Sequence, residues 1–192
     1  MRTALVVVDV QRDFCDGGTL AVVGADALVP KINAVIDAFS RASLPIFFTR
    51  DWHPSNHISF KAQGGPWPPH CVRGSQGAAF HPRLKVPPKA VVIDKGIEPD
   101  SEAYSGFQGT DLAKRLKENN VDEMVIGGLT TDYCVKETVL DALDCGLTVS
   151  VLEDCVRGVD QRAGDSDQAL REMAAKGARL IQSSFVLASM TR

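Results

Sequence analysis

Two sets of reactive side chains stand out from the rest of the chain. The first is DWHPSNHISF at residues 51–60, followed by WPPHCV at 67–72, which together hold an acid and three of the four histidines. Asp51 and His53 are two apart, so on extended chain they project to one side, and the Pro68–Pro69 turn can fold His70 back toward them. One carboxylate with two imidazoles suits a single divalent metal, zinc, iron or manganese, with positions left open for water or substrate. The bland alternative is a proline-rich lid whose histidines are solvated. His81, in AAFHP, reads as structural.

The second set is scattered along the chain. Asp9 ends the apolar run ALVVVDV, Lys95 ends AVVIDK, and Cys134 lies in the turn GGLTTDYCV. Taken singly, each has an ordinary reading: an Asp caps a turn, a Lys is solvated, a lone Cys is buried and inert. Cys134 has the strongest individual case. The turn leads into the amphipathic stretch CVKETVLDALDCG, which places its sulfur at the first turn of a helix, where the dipole and free N–H groups favour a thiolate and can receive an oxyanion. A thiol nucleophile needs a base. With the histidines clustered elsewhere in the sequence, that role falls to Asp9, and Lys95 can balance the charges of carboxylate and thiolate.

These residues can meet only if the fold gathers them. Short apolar, β-branched runs begin at Ala4, Leu44, Ala90, Glu123, Leu147 and Ala178, and their continuous apolar character suits strands covered on both faces. Between them, Leu28, Ile32, Val35, Ile36 and Phe39 recur at helical spacing, as do Leu112 and Leu116, then Val135, Val139, Leu140 and Leu143, then Leu170, Met173 and Ala174. The alternation predicts one α/β domain over residues 1–192: an open, mostly parallel six-stranded sheet with helices on both faces. In such sheets ligands bind beyond the carboxyl ends of the strands, where Asp9, Asp51, His53, Lys95 and Cys134 all fall. Residues 50–89 are long, rich in Pro and Gly and without period, as expected of a functional insertion.

Composition narrows the partners. The chain of 192 residues carries 21 basic and 24 acidic side chains for a net charge of -3, which gives no footprint for nucleic acid or an anionic membrane and points to a small molecule. Cysteines 15, 71, 134, 145 and 155 are odd in number and lack the spacing of a zinc ribbon or disulfide framework, so a reducing, cytoplasmic setting is expected. The apolar run before Asp9 is too short for a signal peptide, and no later run approaches a bilayer span. Formation of a homo-oligomer is left open.

In combination, VVDVQRDFCDGGTLAV, RDWHPSNHISF, WPPHCVRGSQGAAFHP, the lysine of IDKG, SEAYSGF and GGLTTDYCV resemble the nicotinamidases, also called pyrazinamidases, of the isochorismatase-like cysteine hydrolases. The resemblance covers nearly the whole chain. Related isochorismatases and carbamoyl amidases share the Asp, Lys and Cys segments but lack the DWH…H segment. The resemblance implies a triad of Asp9, Lys95 and Cys134, a cis Leu129–Thr130 peptide, and an oxyanion hole from the N–H groups of Thr130 and Cys134. It implies that Phe14 and Trp67 sandwich a flat heteroaromatic ring, that Tyr104 closes the site, and that a metal, zinc foremost, rests on Asp51, His53 and His70. Some family members add a histidine near His57 as a ligand and others do not. The implied reaction converts nicotinamide, and pyrazinamide, to the acid and ammonia through a thioester, in salvage of the pyridine ring toward NAD. Two alternatives stand beside it: a related hydrolase acting on a carbamoyl or isochorismate-like substrate, and a non-catalytic flavodoxin-like binding module with a structural metal.

Overall fold

The computed structural model describes residues 2–190 of the chain. Each predicted apolar run forms a strand: β1 (Thr3–Val8), β2 (Ile46–Asp51), β3 (Val91–Lys95), β4 (Glu123–Leu129), β5 (Thr148–Arg157) and β6 (Arg179–Ile181). They lie in the order β3-β2-β1-β4-β5-β6, and every pairing is parallel rather than mostly so.

Because strand side chains alternate, the sheet divides its apolar residues between two layers. Leu5 and Val7 face one layer with α1 (Val29–Arg41) and α5 (Ser183–Met190). Ala4, Val6 and Val8 face the other, filled by α2 (Leu112–Glu118), α3 (Lys136–Asp144) and α4 (Asp165–Lys176). Ile32, Val35, Ile36 and Phe39 of α1 are at most 2% exposed, so each contributes roughly 1.5–3 kcal/mol through its burial. Among the described residues no helix is long and apolar enough to cross a membrane.

The two central strands position the chemistry. From β1 the chain moves outward to β2 and β3, and from β4 it moves the other way to β5 and β6, so the order reverses between β1 and β4. A crevice opens at such a switch point, beyond the carboxyl ends. Asp9 follows β1 there, with φ at +47°, and Cys134 follows β4. Gly128 lets these strands close up: its φ is +125°, and a Cβ on it would run into the backbone of Val8.

The segment 50–89 is not a solvated lid. It has little regular structure beyond a 3-10 turn at Lys61–Gln63, yet His53, His57, Phe60, His70, Cys71, Ala78 and His81 are all buried along it. Isolated bridges join His53 to Val72, Phe60 to Trp67 and Gln11 to Phe80.

Candidate active site

Lys95 is the hub. Its Nζ lies 2.9 Å from Asp9 Oδ2, donates to Cys134 Sγ at 3.4 Å and to the Ala103 carbonyl at 3.2 Å, and makes a short ion pair with Asp51 Oδ1. Asp9, Lys95 and Cys134 are 0%, 1% and 5% exposed, so their charges interact with little water to screen them. Asp9 Oδ1 accepts a hydrogen bond from Thr49 Oγ1 at 2.7 Å. Asp9 Oδ2 has no partner at hydrogen-bond angle, although the ammonium is close.

Burial pushes the Asp9 carboxyl above the usual carboxylate range, against the pull of Lys95 and with added repulsion from Asp51. Burial also pushes the Cys134 thiol well above its ordinary value, and Lys95 opposes this without overcoming it. At Lys95 burial is outweighed by Asp51 and Asp9, so the amine stays protonated. The pull toward a thiolate expected from a helix terminus is thus opposed by burial. Cys134 lies in a π-helical turn, Thr131–Val135, ahead of α3, in a dry site that already holds two carboxylates, which favours the thiol. Its proton must leave as it reacts, with Asp9 close by.

The turn itself is pinned from several sides. The Thr130 carbonyl accepts the N–H groups of Tyr133 and Val135, at 3.2 and 3.0 Å. Thr138 Oγ1 donates to the Cys134 carbonyl and accepts the Gly106 N–H, while the Asp132 carboxylate accepts the N–H groups of Val159 and Asp160. The Leu129–Thr130 peptide is cis, as the resemblance implies.

Asp51, His53 and His70 converge beside this group, their ligand atoms all within 4.8 Å of one another. His53 Nε2 and His70 Nε2 lie 3.4 and 3.8 Å from Asp51 Oδ2. Each imidazole donates its Nδ1–H to a carbonyl, His53 to Gly96 at 2.9 Å and His70 to Pro68 at 2.8 Å. A carbonyl can only accept, so this tautomer leaves the Nε2 lone pairs facing the carboxylate, the arrangement a metal-ligating histidine needs. Gly96 makes room for it, since a Cβ there would strike the His53 ring. At Asp51, burial is outweighed by Lys95 and the imidazoles, and the carboxyl is held far below its usual range. This donor set fits a divalent cation.

His57 stays outside the group. Its Nδ1 is bonded to Ser59 Oγ at 2.7 Å and its Nε2 to the Ser101 carbonyl at 3.1 Å, and its ring stacks on His53 with centroids 4.0 Å apart. Cys15, Asp26 and His81 also come within ligating distance of one another. There, however, His81 Nδ1 accepts the Arg83 N–H and Nε2 faces Asp26, so both ring nitrogens are engaged. The aromatic residues gather over the crevice. Phe14 packs on His70 at 5.6 Å, Trp67 Nε1 donates to Tyr104 Oη at 3.0 Å, and Tyr133 sits edge-on to Trp67. Tyr133, Thr49 and Gln11 were missed by sequence reasoning. Tyr133 directly precedes Cys134 and Gln11 lies two residues beyond Asp9, which were the available signals.

A buried Asp–Lys–Cys group thus lies at the switch point of a parallel sheet, and an isochorismatase domain matches residues 3–184. The chain belongs to the isochorismatase family. It is 42% identical to the nicotinamidase of Escherichia coli (strain K12), over 92% of this chain and 93% of that protein. The solved pyrazinamidase of Pyrococcus horikoshii in complex with zinc superposes with a TM-score of 0.91 at 49% identity, covering 95% and 99% of the two chains. PnC1 from L. infantum, solved in complex with nicotinate, gives a TM-score of 0.89 at 36% identity, covering 95% and 93%.

Proposed function

We propose that this chain is a nicotinamidase: one hydrolase domain that cleaves the carboxamide of nicotinamide, and of pyrazinamide, to the acid and ammonia, and so serves salvage of the pyridine ring toward NAD. The observation that carries this reading is the convergence of Lys95 Nζ on Asp9, Asp51 and Cys134. It joins a nucleophile, a base and a metal-binding carboxylate through one buried cation. The relatives supply the substrate class, since they are a nicotinamidase, a zinc-bound pyrazinamidase and a protein holding nicotinate.

In this reading Asp9 accepts the Cys134 proton as the sulfur attacks the amide carbon. The N–H groups of Thr130 and Cys134 hold the developing oxyanion. The C–N bond then breaks, Asp9 returns the proton to the leaving nitrogen, and ammonia departs from a nicotinoyl thioester. Asp9 next takes a proton from water, which attacks the thioester, and the C–S bond breaks to give nicotinate and the restored thiol. Splitting amide hydrolysis into two acyl transfers lowers the barrier of each. Lys95 keeps its proton throughout and offsets the negative charge passing between Asp9 and Cys134. Phe14, Trp67 and Tyr104 bound the slot for the flat ring, whose offset or edge-on contacts favour an aromatic over an aliphatic amide. Asp51, His53 and His70 would hold one divalent metal, zinc foremost and iron or manganese as alternatives, and such an ion would supply Lewis acidity toward the substrate ring.

The test is ammonia release from nicotinamide by protein as purified, after chelation, and after each divalent metal is restored singly. Activity lost on chelation and recovered with a metal is expected. Folded, metal-loaded protein that releases no ammonia would sink the reading and direct attention to carbamoyl amides.

A further inference from the structure

Gln11 is fully buried, and its side chain makes three hydrogen bonds with backbone groups. Its Oε1 accepts the Asp51 N–H at 2.8 Å, and its Nε2 donates to the Asp51 carbonyl at 2.8 Å and to the Ala78 carbonyl at 2.9 Å. Both backbone groups of Asp51 are thus held by one amide. In a parallel sheet the N–H and C=O of a given residue point toward the same neighbouring strand, and those of the residues on either side point the opposite way. Trp52 accordingly donates to the Lys95 carbonyl, on the β3 side, while the Thr49 carbonyl accepts from Asp9 on the β1 side.

Asp51 faces β1, but β1 is no longer there. Its pairing with β2 ends at Val8 opposite Thr49, and at Asp9 the backbone turns into the left-handed region. That turn frees the Asp9 carboxylate to enter the crevice, and it would leave the Asp51 peptide groups buried without a sheet partner. The Gln11 amide offers a donor and an acceptor side by side, as the missing strand would.

We infer that Gln11 is a positioning residue for the metal site, its side chain standing in for the absent continuation of β1 and holding Asp51 in strand geometry so that its carboxylate faces His53 and His70. The inference rests on reading Asp51 as a metal ligand. It adds that the same turn which presents the general base also sets the metal-binding carboxylate, through a residue that touches neither substrate nor metal. The Ala78 bond extends the clamp to the loop beyond His70.

The test measures zinc affinity of the metal-free full chain by competition with a chromophoric chelator, using Gln11→Met, which removes all three bonds, and Gln11→Glu, which keeps only the acceptor. Loss of an outer partner of a ligand weakens metal binding by about tenfold to a hundredfold, and that rise in Kd is expected, larger for Met than for Glu. Asp154→Ala, remote from the site, serves as the control for general destabilisation, and its zinc Kd should equal that of the wild type. Wild-type affinity in either folded Gln11 variant would overturn the assignment. Should both variants fail to fold, hydrogen exchange in the wild type decides: the Asp51 amide must be protected as well as that of Thr49, and rapid exchange overturns it. A wild type that binds no zinc refutes the metal reading instead, and exchange then judges the strand-surrogate role by itself.

Discussion

At the scale of single residues the proposed mechanism divides one carboxylate between two tasks. Asp9 Oδ1 is fixed by Thr49 and Oδ2 lies beside Lys95, where the proposed mechanism has it carry the proton. A hydrogen bond to a charged group is worth about 1.5–3 kcal/mol, and each 1.36 kcal/mol is about tenfold in rate. Thr49→Val, which keeps the shape and removes the hydroxyl, should therefore lower kcat by roughly tenfold to a hundredfold, with KM little changed. Thr49→Ser should restore most of the rate, and a Val variant with wild-type kcat would remove Thr49 from the mechanism. Asp9 and Lys95 stood out in the sequence because each ends an apolar run, where a charge is conspicuous, and Cys134 because its turn leads from such a run into an amphipathic stretch. Thr49 and Gln11 were not, since their partners, Asp9 and the Asp51 peptide, lie 40 residues away and are adjacent only once β1 and β2 pair. The electrostatic setting of Cys134 was legible only in part. Proximity to a helix terminus can be inferred from local sequence, whereas the burial that dominates it cannot.

Among the elements, the strands were readable and α5 was not. Parallel strands buried on both faces keep an unbroken apolar character, so all six runs survived translation into structure. The sequence of α5, SSFVLASM, has no clear apolar stripe, and Phe185 is 67% exposed. What holds this helix is a tertiary cap: Asp154, on β5, accepts the Ser183 N–H at 2.8 Å and its Oγ at 2.7 Å, with Lys31 of α1 3.4 Å away. Burial alone would raise the Asp154 pKa, but Ser183 and Lys31 outweigh it and hold it below the ordinary carboxylate value. A depressed carboxyl stabilises the fold fully above its unfolded pKa, near 3.9, and that contribution is lost as pH falls through the folded value. On acidification the wild type should thus lose the α5 contact only below about pH 4, while Asp154→Ala should lack it at neutral pH. Losing such a cap costs about 0.5–2 kcal/mol. Chemical denaturation at pH 7 and near pH 3 should show the gap between wild type and variant narrowing at low pH, and an equal gap at both would refute the linkage.

For the molecule as a whole, the proposed metal centre ties the sheet to the long segment 50–89. Asp51 ends β2, His53 follows it, and His70 belongs to the irregular chain that packs over Phe14 and Phe60. Turn and bridge hydrogen bonds hold that segment together rather than long ladders, and an ion bound by Asp51, His53 and His70 would add to them. A ligand that binds only the folded state, present at 100 times its Kd, stabilises by about 2.7 kcal/mol. In a chain of this length each kcal/mol raises Tm by about 2–4 °C, so saturating zinc should raise Tm by roughly 5–10 °C. The same comparison separates structure from chemistry. Cys134→Ala should keep the full zinc shift while losing all hydrolysis, because Cys134 lies outside the Asp51, His53 and His70 group. His53→Ala and His70→Ala should lose the shift, and His57→Ala should keep it, since both His57 nitrogens are already bonded to Ser59 and Ser101. Calorimetric scans of the five proteins with and without zinc make the comparison. A full shift surviving in His53→Ala and His70→Ala would mean that zinc binds elsewhere and that the DWHP segment is only a packed turn.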